Sequence, residues 1–426
     1  MPGRPGGSQL SNEDLDVKHM IKSIKAREII NSRGEPTVEA EVETEDGVFR
    51  VSVPSGASRG KYEAVELRDG GNRFFGQGVL KAVKNIKEII NPKLKGEDVS
   101  NQKKIDEILI ELDNTKDKSK IGANAILAVS IACCKAGAKA KNIPLYEYIS
   151  QISNSIPKLP RPCFNILNGG AHAGNDLDIQ EFMIIPQVKG FKENLRIGVE
   201  IYQEFKKNLE KRFGKSAINL GDEGGFAPPL NKTKDALDLA MEAVGSAGYV
   251  EEVKIGLDCA ASEFFKGGKY ILESKKINSE ELLNFYQDLT KEYPILFFED
   301  PFEQDDWQAW GELKIKSEKL KVLVIGDDLT VTNPERIKKA YEKKACNGII
   351  LKLNQIGTVS ETIEAAKLAK EFGWKIIVSH RSGDTCDDFI ADLAVGISAD
   401  FIKSGAPARG ERVAKYNRLL RIEEEI

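Results

Sequence analysis

Histidine is scarce in this chain. His19, His172 and His380 are the whole complement among 426 residues, so a zinc centre built on several imidazoles is not expected. The six cysteines (Cys133, Cys134, Cys163, Cys259, Cys346 and Cys386) show no Cys-x-x-Cys spacing and no disulfide-framework density. Several lie inside apolar patterns and read as small core residues. No apolar run approaches the roughly 20 residues that span a bilayer, and the first residues carry no apolar core of a secretion signal. A dominant charge is lacking too: 62 basic against 66 acidic residues leave a formal net charge of -4. That balance gives no general attraction to nucleic acid or to an anionic membrane. A cytoplasmic globular protein is expected, with neither nucleic acid nor membrane as partner.

What the chain does have is an ordinary globular composition, 41% hydrophobic and 30% charged, and a repeated punctuation in its C-terminal half. Val253–Leu257 ends at Asp258, and Pro294–Phe298 ends at Glu299-Asp300-Pro301. Val322–Gly326 ends at Asp327-Asp328, and Gly348–Leu351 ends at Lys352. Lys375–Val378 ends at Ser379-His380-Arg381-Ser382, and Phe401-Ile402 ends at Lys403. Helical patterns such as Glu361–Phe372 and Asn333–Lys344 lie between these runs. Strand, charged residue and helix, repeated at intervals of roughly 25–40 residues, are the signature of a (β/α) barrel, whose catalytic groups stand at the C-terminal strand ends. One charged strand end is an ordinary loop residue; a succession of acidic and then basic ends is a site.

Met1–Lys18 is rich in Pro, Gly and Ser and then acidic, without periodicity. It reads, with His19, as a disordered tail or an expression tag. Ile24–Ile29, Thr37–Thr44 and Val48–Val51 alternate like strands, with Asp46-Gly47 as a turn signal, and predict a small antiparallel meander. Pro54–Gly60 (PSGASRG) reads either as a surface loop or as a mobile lid whose Ser58 reaches a ligand. Gly78–Ile90, Asn101–Leu112 and Gly122–Lys141 are helical, the last packed on all sides. A Ser/Pro-rich connector, Ser153–Pro162, separates an α+β capping domain (20–152) from the barrel (153–426). The barrel opens with Pro162–Leu167 and a glycine-rich turn, Asn168–Asn175, that matches neither a dinucleotide fingerprint nor a Walker A loop. In Ile179–Ile184, neighbours Gln180 and Glu181 face opposite ways, so only one addresses a common site unless the strand ends there. Gly221–Pro228 clamps Asp222 and Glu223 between glycines.

Asp258, Glu299 and Asp327 are hard oxygen ligands on successive strand ends and suit Mg²⁺ better than Ca²⁺. Lys352, Arg381 and Lys403 face them in barrel order. An acidic metal side and a cationic side fit an anionic substrate, especially a phosphorylated carboxylate, with Arg381 and Ser382 as a phosphate seat. Glu181 and Glu223 are candidate acids, since neighbouring carboxylates keep one of the two protonated near neutrality. Lys352 either snorkels to the surface or is buried. Burial lowers a lysine pKa from about 10.4, and a value of about 7–8 would make it a usable base. The chemistry this set suits is proton removal beside a carboxylate, with metal charge stabilising the enolate and an acid assisting a leaving group.

Several motifs together resemble those of the enolase family (phosphopyruvate hydratases), over about Ile21 to Glu425. They are Asn31–Gly34, Ser55–Ser58, Asn168–Gly174, Gln180–Met183, Gly221–Phe226, Asp327–Thr330, Leu351–Gly357, Ser379–Gly383 and Lys403–Pro407. The resemblance implies an enolase-type (β/α)8 barrel with an N-terminal α+β capping domain. It implies the reversible dehydration of 2-phosphoglycerate to phosphoenolpyruvate in glycolysis and gluconeogenesis, with two Mg²⁺ per active site. It makes Lys352 the base at C2 and Glu223, with Glu181 beside it, the acid at the C3 hydroxyl. Asp258, Glu299 and Asp327 would hold the first Mg²⁺ and Ser58 would reach the second. Lys403 would face the substrate carboxylate, Arg381 and Ser382 its phosphate, and His172, Gln180 and His380 would line the pocket. A homodimer or an assembly of dimers comes with the family.

Two positions depart from the family pattern: Arg59 stands where Thr is usual, and Glu35 where Asn is usual. Both bear on the lid and on subunit contacts, not on proton transfer, and the two side chains have the charges to pair. Two other readings stand beside this one. A racemase or acid-sugar dehydratase of the same superfamily would carry a Lys-x-Lys pair on an early strand, whereas the site lysines here come late. A non-catalytic binding role on the same scaffold would be favoured by loss of the base, the acid or a metal ligand.

Overall fold

The computed structural model describes residues 19–57 and 60–426. The expected tail, apart from His19, and the calls on Ser58 and Arg59 lie outside the described residues. The N-terminal part opens with β1 (Ser23–Ile30), β2 (Pro36–Thr44) and β3 (Gly47–Ser52), antiparallel in that order. Thr44 pairs with Gly47, so the turn residues are Glu45 and Asp46, one position earlier than the Asp46-Gly47 signal suggests. On β2, Val38, Ala40 and Val42 are buried while Glu39, Glu41 and Glu43 are not, the alternation of a sheet wet on one face. The buried face packs on the helix Ala123–Ala140. That helix is apolar and long enough to cross a membrane, yet 83% of it is buried inside the fold, which makes it a core helix. The helix expected over 78–90 begins at Leu80, widens into a π turn at Ile86–Ile90 and runs on to Leu94. Pro92 explains the widening: it lacks an N–H for Glu88 and would clash with that carbonyl in an α turn.

The remainder closes into a barrel. Its first strands are β4 (Arg161–Asn168), β5 (Glu181–Pro186) and β6 (Val253–Asp258). A small sheet follows, β7 (Phe265–Lys266), β8 (Lys269–Leu272) and β9 (Lys275–Ile277). The barrel then continues through β10 (Ile295–Glu299), β11 (Leu323–Gly326), β12 (Gly348–Leu351), β13 (Lys375–Ser379) and β14 (Phe401–Lys403), which pairs back with β4. The strand and helix alternation read from the sequence holds from β10 onward. Asn278 and Glu281 form a capping box on Ser279–Glu292, Asn333 caps Pro334–Glu342, and Thr358 caps Val359–Glu371.

The start of the barrel differs from a simple repeat. Only one short turn, Gly170–His172, joins β4 to β5, so β5 runs antiparallel to both its neighbours. Two helices, Phe191–Phe213 and Thr233–Ser246, then lead to β6. Parallel neighbours require a long crossover, and the twelve residues between β4 and β5 form no helix long enough to supply one. Inside the barrel, Cys163, Met183, Phe297, Ile325, Ile350 and Ile377 form their own buried cluster. The packed interior leaves the strand ends as the place for chemistry. Five of the six cysteines are buried, as their apolar settings predict; Cys386 is exposed.

Candidate active site

Reversal of β5 has a direct consequence for the site. Glu181 is the first residue of β5, yet it pairs with Asp258, the last residue of β6, and with Asn168, the last of β4. Its carboxylate therefore joins the C-terminal ends of the other strands. Gln180 lies just before the strand begins, so both neighbours reach one cavity, which the strict alternation of a strand would forbid. Glu299 pairs with Asp258 across β10 and β6, Asp327 follows β11, Lys352 follows β12, and Lys403 ends β14 opposite Ser379. A single cavity is lined by His172, Gln180, Glu181, Glu223, Asp258, Lys352, His380, Arg381, Ser382 and Lys403. Glu299 and Asp327 lie against it through ion pairs to Lys403 and Lys352. Ser58 lies outside the described residues.

The Lys403 ammonium sits among the carboxylates: 2.8 Å from Glu299 Oε1, 3.1 Å from Asp258 Oδ2 and 3.3 Å from Glu181 Oε1. Burial alone would lower its pKa, but Asp258, Glu181 and Glu299 outweigh it and hold it well above the usual lysine value. Two strand-end carboxylates that already share one cation form a cation seat, and their hard oxygens suit a divalent ion of the Mg²⁺ class. Asp300, Asp327 and Asp328 also crowd together, each offering an oxygen within 4.8 Å of the others. Asp300 has another task. Its two oxygens accept the backbone N–H groups of Asp327 (2.8 Å) and Asp328 (2.7 Å), from a left-handed backbone at φ 42°. It anchors the turn that presents Asp327.

Lys352 is largely but not fully buried, its side chain 13% exposed, and is ion-paired to Asp327 Oδ2. The low pKa expected from burial is not what this arrangement gives. Burial, the largest single influence, and the cations Arg381 and Lys403 push the ammonium down, but the surrounding carboxylates, Asp327 foremost and Glu299 with it, together outweigh them, and Lys352 is pushed up to about 12. The sequence shows the burial and hides the partner, which comes from another strand.

On the same cavity His172 Nδ1 stands 3.7 Å from Glu181 Oε1 and 3.6 Å from Glu223 Oε1. His172 Nδ1, Gln180 Oε1 and Glu181 Oε2 are buried with no hydrogen-bond partner among the described residues. Buried polar atoms are normally met, so such a cluster facing a cavity marks the place of a ligand. Burial and the neighbouring Glu223 push Glu181 well above the usual carboxylate range. Burial alone would raise Glu223 as well, but the facing His380 and His172 hold it well below that range. The two carboxyls are thus pushed in opposite directions, Glu181 up and Glu223 down. His380 Nδ1 lies 2.6 Å from an Arg412 nitrogen. A guanidinium only donates, so Nδ1 accepts and the ring proton sits on Nε2, 3.3 Å from Glu223 Oε2. Burial lowers the His380 pKa to about 4.

Arg381 holds Glu63 with both terminal nitrogens, at 2.9 and 3.2 Å, and reaches Asn354 Oδ1 at 3.1 Å. Ser382 Oγ accepts the Ala57 N–H at 2.7 Å, tying the loop to the barrel residues expected to seat phosphate. Glu35 pairs with Arg33 (3.6 Å), which in turn pairs with Asp222 (3.0 Å). Three contributors escape the sequence reading. Glu63 has no periodic signal. Gln355 donates to Asp327 at 2.8 Å from inside a motif singled out for its lysine. Arg412 is fully buried on the stripe it shares with Tyr416, Leu419 and Ile422 of the helix Gly410–Glu425. A charge on an apolar stripe was the available clue.

Known proteins bear on this geometry. Residues 21–149 match the family described as "Enolase, N-terminal domain", and residues 157–426 match "Enolase, C-terminal TIM barrel domain". The chain is 54% identical over 421 residues to Enolase B of Dictyostelium discoideum, covering 95% of each chain. With both halves matched and the barrel carrying the family's motifs around one buried cavity, the chain belongs to the enolase family.

Proposed function

We infer that the protein is a lyase that reversibly dehydrates 2-phosphoglycerate to phosphoenolpyruvate in an Mg²⁺-dependent reaction. The observation that carries the reading is one cavity lined together by Lys352 and by Glu181 and Glu223, two carboxyls pushed in opposite directions. Base and acid on opposite sides of a bound substrate suit proton removal from one carbon and departure of hydroxide from the next. Residues 20–152 serve as the capping domain and 153–426 as the catalytic barrel. A cytoplasmic setting and a homodimer, or an assembly of dimers, come with the resemblance.

In this reading Arg381 and Ser382 bind the phosphate and Lys403 turns to the carboxylate. Lys352 takes the C2 proton. It is charged and paired at rest, so it must first be freed from Asp327; burial with Arg381 and Lys403 then lowers its pKa toward a usable base against the smaller pull of Glu299. Glu223 protonates the departing C3 hydroxyl. Its proton comes from Glu181, the neighbouring carboxyl that holds it at rest. Asp258, Glu299 and Asp327 would hold Mg²⁺, with Ser58 for a second ion. When bound, the metal supplies positive charge that favours the enolate. The test is ultraviolet detection of the enol product from 2-phosphoglycerate, with Mg²⁺ and then with excess chelator. Turnover lost on chelation supports reaction and metal together; no turnover with Mg²⁺ shown to bind would overturn the reading.

A further inference from the structure

The ion pair between Lys352 and Asp327 is one side of a closed hydrogen-bond ring. The backbone N–H of Lys352 donates to Thr332 Oγ1 at 2.9 Å. Thr332 Oγ1 donates to Gln355 Oε1 at 2.7 Å. Gln355 Nε2 donates to Asp327 Oδ1 at 2.8 Å. Asp327 Oδ2 takes the Lys352 ammonium, which closes the ring on the residue where it began.

Each link in the ring has one direction only. A hydroxyl has a single proton. Because Thr332 Oγ1 already accepts from Lys352, its proton goes to Gln355. That fixes the amide with its oxygen toward Thr332 and its nitrogen toward Asp327. An amide turned the other way would set an oxygen against the carboxylate. Gln355 has no freedom to adjust: it is 1% exposed, and its backbone carbonyl accepts the Ala64 N–H at 2.8 Å. Thr332 is held in place at a backbone cost. Val331 and Thr332 adopt φ values of 42° and 55°, in the left-handed region that β-branched residues avoid, and both are fully buried. Strain of this kind persists where the surroundings over-determine it, and it concentrates at functional sites.

We propose that Thr332 and Gln355 are positioning residues that set the orientation of Asp327 and the placement of Lys352. Neither touches the cavity that would take the substrate. The proposal rests on the reading of Lys352 as base and Asp327 as metal ligand. The variant Thr332→Val removes the hydroxyl and keeps the shape; Thr332→Ser keeps the hydroxyl. In Thr332→Val, kcat and the Mg²⁺ affinity measured by calorimetry without substrate should each fall by about 10–100-fold, the usual effect of removing a group that orients a ligand. KM for 2-phosphoglycerate should change little. Amide hydrogen exchange at Lys352, followed by mass spectrometry, should speed up. Thr332→Ser should restore all three.

If Thr332→Val fails to fold, Gln355→Met carries the same expectations for kcat and Mg²⁺ affinity. A folded Thr332→Val or Gln355→Met with wild-type kcat and wild-type Mg²⁺ affinity would overturn the proposal. So would a Thr332→Ser variant as impaired as Thr332→Val, since that points to backbone packing instead of the hydroxyl. Absence of 2-phosphoglycerate turnover in the wild type would instead defeat the functional reading, while the exchange rate at Lys352 would still report on the ring.

Discussion

In one part of the site Lys352 and Asp327 form a closed ion pair inside a complete hydrogen-bond ring. In another, His172, Glu181 and Glu223 gather within 4.8 Å of one another with polar atoms left unmet. Removal from water gives opposite results in the two places. Where a counter-charge is in contact, burial is overridden and the lysine stays charged. Where the neighbour carries a like charge, burial and repulsion add, and the Glu181 carboxyl is pushed well above the usual range.

The largest test breaks the first end. Lys352→Ala should lower exchange of the C2 proton by more than about 10³-fold, beyond the low end of what a positioned base contributes. Isotope exchange into 2-phosphoglycerate measures it, with circular dichroism showing the fold retained. Exchange within tenfold of wild type would remove Lys352 from the role of base. The second test breaks the other end. Glu223→Gln and Glu181→Gln should each lower dehydration by about 10²–10³-fold while C2 exchange falls less. If Glu181→Gln dehydrates like wild type, the proton on Glu181 is not the one delivered.

A smaller effect sharpens the same contrast through pH. His380 titrates at about 4 in the folded protein because burial disfavours its charge, against 6.5 as the ordinary value. The unfolded chain therefore binds the extra proton first, and stability falls as pH drops from 6.5 toward 4. At about 1.4 kcal/mol per pH unit this one group costs roughly 3 kcal/mol by the bottom of that window. Urea unfolding at pH 7 and at pH 4.5 measures the loss. In His380→Asn the difference between the two should shrink; an undiminished difference would show that other groups carry the acid sensitivity.

Most of this architecture was open to sequence reasoning because one feature repeats. An apolar run ending in a charged residue is a local signal, and six of the barrel strands carry it, from Asp258 to Lys403. Direction is not local. Nothing in Ile179–Ile184 says that β5 runs against its neighbours; that follows from a connection too short to hold a crossover helix. The raised pKa of Lys352 is not legible in the sequence for a related reason. Its burial is written in Gly348–Leu351, but Asp327 arrives from β11 and Gln355 from the turn beyond β12. Glu63 and Arg412 were missed because each works through a residue distant in the chain, Arg381 in one case and His380 in the other.

The departure at Glu35 gives the smallest expected effect and marks where the contrast stops. Glu35 stands 3.6 Å from Arg33, and both side chains are partly exposed, at 33% and 26%. A solvated pair at that distance contributes little, since water screens the attraction and ordering two side chains costs entropy. Arg33 also keeps a second partner, Asp222, at 3.0 Å, next to Glu223 in the chain. Restoring the family's residue with Glu35→Asn should therefore change unfolding free energy by less than about 0.5 kcal/mol and leave kcat within twofold. Its backbone bond from Glu35 N–H to Asn31 Oδ1, 3.1 Å, is kept whatever the side chain. A larger change in kcat would mean that Arg33, released from Glu35, pulls Asp222 and with it the neighbouring acid. The proton-delivering end would then extend to the surface, while the Lys352 end remains sealed by its ring.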